Sequence, residues 1–416
     1  MKVLLFTKMF PRIGNDSFGS YVYDQIKELK ALGTDLRIVS PHLYIPKCFS
    51  LLGNKFKSRA FAPNKYEYKG LTVYTPPCLW ARNLINNPEI KYKVFKLSVK
   101  RYLLSMCKEY KPDVLYALDP SMDGRLCLEI GQELNIPVVL IEHSMPKFYN
   151  DLYGNGKFEH IYKKVATGID EMIYVTNRQK EVFETITGKL NNSTAILNGF
   201  VQENGEERIP IFSDNILKLI CIGYLEERKG YPVLFKALKM LKETTDIKFN
   251  LTIIGDGYDM KLYRKTVKEY GIDFECNFVG IVSHKEVYEY LNKSDIFVLP
   301  SYGEALGIAY LEAMSCGLPI IGTKNEGISD IVTDNENGIL VEKGDVEGIC
   351  DAIKFLSENP ETAKQIAIRG CKTVAGLTWK KNAELLYSRF ETVIKTYQNK
   401  DKAAKVQMGG KYNGFK

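Results

Sequence analysis

The sequence predicts an α/β protein with two Rossmann-like domains, and three observations carry that expectation. At 416 residues the chain exceeds one ordinary core and suits two domains of about 200 residues each. An apolar run at Lys2–Lys8, a glycine at Gly19, a helical pattern from Tyr21 to Leu32 and a strand pattern from Leu36 to Ser40 read as one βαβ unit. The same pattern restarts at Leu217–Ile222, after a polar stretch from Gln202 to Asn215 that holds Gly205 and Pro210 and reads as a linker.

In the first half, Gly33 stops the first helix. Further strands are expected at Asp113–Tyr116, Pro137–Ile141 and Ile173–Thr176, with a helix over about Ser121–Leu134. His143 follows the second of these strands, and residues at the carboxyl ends of strands in an open α/β sheet face the ligand crevice. A histidine pinned by a backbone carbonyl is the alternative there. Gly19 lets backbone approach an anion closely, or simply permits a turn.

Composition narrows the class. Apolar content of 45% and charged content of 26% are those of a globular protein, and no apolar run approaches the ~20 residues of a membrane span. The apolar start, Val3–Phe6, is too short for a signal peptide and reads as a buried strand. Nine cysteines without a C-x-x-C spacing suit reduced thiols in a cytoplasmic protein. The net charge of +7 is uneven, because residues 1–100 hold 17 Lys+Arg against 6 Asp+Glu, a surplus of 11. Two segments carry it: Phe49–Phe61, with Lys55, Lys57 and Arg59 among apolar residues, and a helix over Lys91–Met106 with Lys93, Lys96, Lys100 and Arg101. Such a surface suits anionic lipid headgroups or is an ordinary solvated face; nucleic acid is not the expected partner.

In the second half, Gly223 follows a strand and leads to Arg228 and Lys229, two cations placed to neutralise a diphosphate leaving group. Phe249–Ile254 ends in Gly255-Asp256-Gly257, but Met260 stands where a dinucleotide fingerprint needs its third glycine. The most informative stretch is Ser301–Pro319. Its helix, about Gly307–Cys316, holds one charged residue, Glu312, among Ile308, Ala309, Tyr310, Leu311, Ala313 and Met314. A helix this apolar is buried, and a carboxylate in it needs a hydrogen-bonding partner. Glu304 lies eight positions earlier, beside a helix N-terminus whose free N–H groups suit a phosphate. No Asp-x-Asp, clustered His/Cys ligands, Walker A loop or nucleophile elbow is present.

The setting P-S-x-x-E-x-x-G-x-x-x-x-E-A-M-x-x-G-x-P-I around Glu304 and Glu312 resembles the retaining glycosyltransferases of family 4. Gly223 to Gly230 resembles the same family's G-R-L-x-x-x-K-G, with Tyr224 where arginine is usual and Arg228 as a candidate replacement. Asn198-Gly199, Asn277–Val282, Glu326–Ile328 and Asn337–Val341 are also family-like. The resemblance implies a GT-B architecture, two Rossmann-like domains facing a central cleft. Residues 1–203 would bind acceptor, completed by a C-terminal helix at about 385–400. Residues 204–384 would bind the nucleotide sugar, and a tail at 401–416 is expected to be disordered.

The implied activity is a retaining, metal-independent hexosyl transfer without cofactor. The donor is a nucleotide sugar and the acceptor a saccharide or lipid-linked glycan, at the inner membrane face. Catalytic roles are implied for His143, Arg228, Lys229 and Glu304. Donor contacts are implied for Gly19, Gly223, Arg228, Lys229, Val282, Glu304, Leu306, Gly307, Ile308 and Glu312. A sugar-nucleotide epimerase or phosphorylase on the same architecture, and a non-catalytic nucleotide-sugar-binding subunit, are the other classes open to the sequence.

Overall fold

A computed structural model describes residues 1–12, 18–53, 60–79, 87–154, 156–202 and 215–412. The chain forms two compact units: residues 1–175, 180–196 and 379–416 make the first, and residues 176–179 and 197–378 the second.

The first unit contains β1 (Lys2–Phe6), β2 (Asp35–Val39), β3 (His42–Leu43), β4 (Lys65–Tyr68), β5 (Leu71–Tyr74), β6 (Pro77–Cys78), β7 (Val114–Ala117), β8 (Val138–Glu142), β9 (Glu171–Tyr174) and β10 (Ser193–Ala195). Eight of these form one sheet in the order β10-β9-β8-β7-β1-β2-β5-β4, and β3 pairs with β6. The large sheet is parallel except for the β4–β5 hairpin, which turns through Lys69 and Gly70, both at positive φ. Strands β7 and β8 are buried along their whole length and β1 beyond its first residue. Burial on both faces is why they read as continuous apolar runs rather than alternating ones. The strand order turns at β1, with β2 on one side and β7 on the other.

Gly19 caps the helix Ser20–Ala31 in the left-handed region. A Cβ there would lie 2.6 Å from the Met9 carbonyl oxygen, so chain packing alone demands glycine.

The helix Pro88–Tyr110 starts on an Asn87 cap that accepts from the N–H groups of Glu89 and Ile90. Of the four cations the sequence groups on it, two are paired. Lys96 and Lys100 each sit 2.7 Å from a carboxylate, Glu129 and Glu133, of the helix Asp123–Leu134, and Lys91 is buried. Lys93, Leu97 and Arg101 remain exposed at i, i+4, i+8 spacing. Lys55, Lys57 and Arg59 lie outside the described residues.

The final helix, Trp379–Tyr412, is longer than the sequence reading allowed. Residues 401–412, expected to be disordered, continue it. Within the first unit the helix covers Ser20–Ala31. Gln25 Nε2 donates to Asn382 Oδ1 at 2.8 Å and its Oε1 accepts from Tyr116 Oη at 2.6 Å, all buried. The Tyr116 ring meets Phe390 edge-on at 5.2 Å, and Arg389 reaches Glu171 at 2.6 Å.

The second unit holds β11 (Leu217–Ile222), β12 (Phe249–Ile254), β13 (Cys276–Gly280), β14 (Ile296–Val298), β15 (Ile320–Thr323) and β16 (Ile339–Val341). They form a fully parallel sheet in the order β13-β12-β11-β14-β15-β16, turning at β11. Its boundaries differ from the expected 203/204 and 384. Phe200 N donates to Leu377 O at 3.2 Å and Phe200 bridges Thr378, so the segment from Leu197 already belongs to this unit and the unit ends at Thr378. All nine cysteines are free thiols, seven of them buried. Among the described residues no helix is long and apolar enough to cross a membrane.

Candidate active site

Backbone geometry at the carboxyl ends of β11, β12 and β14 sets the scene in the second unit. After β11 the chain passes Gly223 and enters a single 3-10 turn, Glu227–Lys229. Gly230 then takes φ +77 and starts the helix Tyr231–Thr244; a Cβ on it would meet the Pro300 carbonyl oxygen at 2.1 Å. The turn is thus pressed against the segment after β14, and Tyr302 N donates to Arg228 O at 2.7 Å. Gly255 approaches Gly223 as closely, since its Cβ would meet the Gly223 oxygen at 2.1 Å.

That contact brings Arg228 and Lys229 onto Glu304. Lys229 Nζ is hydrogen-bonded to Glu304 Oε2, and Arg228 Nη1 lies 3.4 Å from the same oxygen. Arg228 is held from its other side by Glu226, at 2.6 Å from Nε. The Lys229 stem runs beside Gly223, where a Cβ would stand 3.5 Å from it. Burial pushes the Glu304 carboxyl up, but the Lys229 ammonium and the Arg228 guanidinium outweigh it and hold the group below its ordinary value. Glu304 N donates to Glu326 Oε2 at 3.1 Å, which fixes the loop from behind.

The helix Ile308–Ser315 begins beside this cluster. Gly307 caps it at φ +82 with no side-chain hydrogen bond, and a Cβ there would lie 3.3 Å from Glu304 Cγ. The first N–H groups of the helix therefore have no capping side chain and stand next to Glu304. Leu306 is buried, so its side chain serves packing and only its backbone is available to a ligand. Gly317, at φ +70, closes the helix as its sequence position predicts. Glu312 is 8% exposed and has the partner its burial requires: His284 Nε2, 2.9 Å from Oε1. Val282 lies between β13 and the helix His284–Leu291, half-buried. Tyr224, in the usual arginine position, is exposed and packs edge-on against Tyr258 at 5.6 Å.

The first unit gathers a separate polar cluster at the carboxyl ends of β1, β7 and β8. His143 packs its ring on Tyr21 at 4.7 Å, and its Nε2 is shielded without a hydrogen bond. Burial pushes the imidazole down to about 3, so it is neutral at physiological pH and acts as a hydrogen-bonding group, not as a cation. Glu142 is fully buried, accepts from Ser144 N at 2.8 Å and Tyr149 Oη at 2.9 Å, and burial drives its carboxyl well up. Lys8 Nζ lies 3.0 Å from Asp119 and 3.7 Å from Asp123. Burial raises the Asp123 carboxyl to about 7, against the pull of Lys8.

The structure therefore joins Arg228, Lys229 and Glu304 in one cluster, sets Gly307 against it, and runs Gly223 along it. Glu312 is held by a residue the sequence reading did not include, His284. Lys8, Asp119 and Asp123 were also missed as candidates, and Glu326 was noted as family-like without a role; all follow the carboxyl ends of parallel strands, the position that singled out His143.

Residues 206–373 match the family described as glycosyl transferases group 1. The Bacillus subtilis glycosyltransferase TuaC is 24% identical, over 95% of this chain and 100% of its own length. An uncharacterized glycosyltransferase of Methanocaldococcus jannaschii is 26% identical, over 76% of this chain and 83% of its own. Among solved structures, sucrose-phosphate synthase from Thermosynechococcus elongatus superposes with a TM-score of 0.74 at 16% identity, covering 95% of this chain and 100% of that one. HepE of Anabaena in complex with UDP and glucose superposes at 0.69 and 15% identity, covering 94% and 99%.

Proposed function

We propose that this chain, a group 1 glycosyltransferase with the GT-B fold, moves a hexosyl group from a nucleotide sugar to a saccharide or lipid-linked acceptor with retention at the anomeric carbon. The observation that carries this reading is the convergence of Lys229 and Arg228 on Glu304 beside the uncapped start of the helix Ile308–Ser315. Two cations and a set of free N–H groups suit a diphosphate; a carboxylate between them suits sugar hydroxyls. Glu312 receives the ribose hydroxyls. The bond from the anomeric carbon to the leaving phosphate breaks as the acceptor oxygen bonds to the same face, and the departing phosphate takes the acceptor proton. Arg228, Lys229 and the helix N-terminus stabilise the charge that grows on that phosphate. Binding of UDP and glucose by the HepE neighbour supports a nucleotide-sugar donor here.

The test is product analysis with a panel of nucleotide sugars and simple acceptors, with the anomeric configuration read by NMR. Release of nucleoside diphosphate with a glycoside of retained configuration is expected. An inverted product, or interconverted nucleotide sugars without transfer, overturns the reading. Because Lys229 and Arg228 supply the positive charge, chelator is expected to leave the rate unchanged, and strict magnesium dependence would contradict that assignment.

The acceptor side is proposed to meet an anionic membrane. Tyr44, Phe49, Leu51 and Phe61 are exposed in the segment that carries the charge surplus, Leu51 at 91%, and Lys47 lies over the Phe61 ring at 5.7 Å. Each cation near such a surface contributes about 1 kcal/mol, screened by salt. Co-sedimentation with vesicles of rising anionic lipid content is expected to pull down the wild type in a salt-reversible way. The Lys55, Lys57, Arg59 triple-alanine variant is expected to bind less. Binding indifferent to lipid charge, or none, sinks the membrane assignment and favours an acceptor in solution.

A further inference from the structure

We infer that His284 is a positioning residue for the donor nucleotide, holding the Glu312 carboxylate in the orientation that receives the ribose. The inference rests on the donor-site reading above and adds to it a residue that neither the motif nor the resemblance contains.

Glu312 lies on a helix whose neighbours Tyr310, Leu311, Ala313 and Met314 are all buried. A carboxylate in such a wall costs free energy unless something donates to it, and its direction is set by that donor. His284 is the donor, Nε2 to Oε1 at 2.9 Å across 28 residues of sequence. Its side chain is 44% exposed while that of Glu312 is 11% exposed, so the pair sits where a ligand from solvent can reach it.

His284 is itself fixed. It is the first residue of the helix His284–Leu291, whose entry is set by a reciprocal capping box. Ser283 Oγ accepts from Glu286 N at 3.3 Å, and Glu286 Oε2 accepts from Ser283 N at 2.8 Å. One turn on, Tyr288 packs edge-on against the imidazole at 5.2 Å. A capped backbone and a braced ring leave the imidazole little freedom, and that rigidity passes to the carboxylate. An ionised carboxylate offers about four lone-pair positions. The imidazole uses one, leaving Oε2 and the far side of Oε1 for the two hydroxyls of a ribose diol. The helix follows Val282 at once, so one turn of chain contributes a base-side contact and orients the ribose-binding carboxylate.

The experiment is calorimetry on the full chain with UDP, GDP and ADP, alongside thermal melts. The nucleotide that binds the wild type is expected to bind His284→Ala about tenfold more weakly, as for loss of one charge-assisted hydrogen bond. His284→Gln, whose amide can donate to the same oxygen, is expected within about twofold of wild type. In a Glu312→Ala background, His284→Ala is expected to cause no further loss. Wild-type affinity in His284→Ala, or an additive loss in the double variant, overturns the inference and leaves the donor site standing. A wild type that binds none of the three overturns the donor site, and the inference with it.

Discussion

Lys229→Ala lowers turnover by roughly 10²–10³-fold, the loss expected for one electrostatic stabiliser of a charged leaving group. Its side chain is largely buried, 11% exposed, and its ammonium is hydrogen-bonded to Glu304. In a site screened from water it acts at lower effective dielectric than a surface lysine would. Arg228→Ala is expected to fall in the same range. Tyr224 supplies no charge where the resembled family has arginine, and its ring is engaged with Tyr258. Arg228 is therefore the second cation on the Glu304 oxygen. Steady-state kinetics check both variants. Arg228→Ala at the wild-type rate would leave the proposed compensation for Tyr224 without support, and an undiminished Lys229→Ala would remove the turn Glu227–Lys229 from the chemistry.

Glu312→Ala weakens nucleoside diphosphate binding about 10- to 150-fold. A carboxylate hydrogen-bonded to two hydroxyls contributes ~1.5–3 kcal/mol, and each 1.4 kcal/mol is tenfold in affinity. The substitution removes a buried charged group and leaves the His284 ring solvent-accessible, so the fold is expected to tolerate it. Calorimetry with nucleotide alone separates this from catalysis. Unchanged affinity in a folded variant takes Glu312 out of the donor site.

What could be read from the chain follows from sequence distance. Phe249–Ile254 has the bounds the apolar run predicts, and Gly317 closes its helix where it was expected, because both are decided by neighbours in sequence. The Arg228, Lys229, Glu304 cluster was legible for another reason. Each part sits at the end of a strand in a parallel sheet, so separate local motifs imply a common edge. The His284–Glu312 pair has no such signature: it joins two helices, and nothing near Ser283 in sequence points to a carboxylate. Lys8, Asp119 and Asp123 also follow parallel strands, β1 and β7, but no local motif marks any of them, and the partners lie 111 and 115 positions away. The helix Pro88–Tyr110 shows the converse. Lys96 and Lys100 look free in their own segment and are answered by Glu129 and Glu133 from the next helix but one strand on.

The last helix has a consequence for how the protein is made. The second unit is almost one continuous segment, 197–378, whereas the first needs residues from both sides of it. On a ribosome, domains ordinarily complete in the order in which they emerge. Here the second unit can close first, while the first still lacks Asn382 for Gln25, Arg389 for Glu171 and Phe390 for Tyr116. The first-born unit is thus the last to be finished, and it waits through some two hundred residues of synthesis with part of its surface uncovered. A nonsense mutation just upstream of Trp379 strikes the first unit, although the lost codons follow the whole of the second.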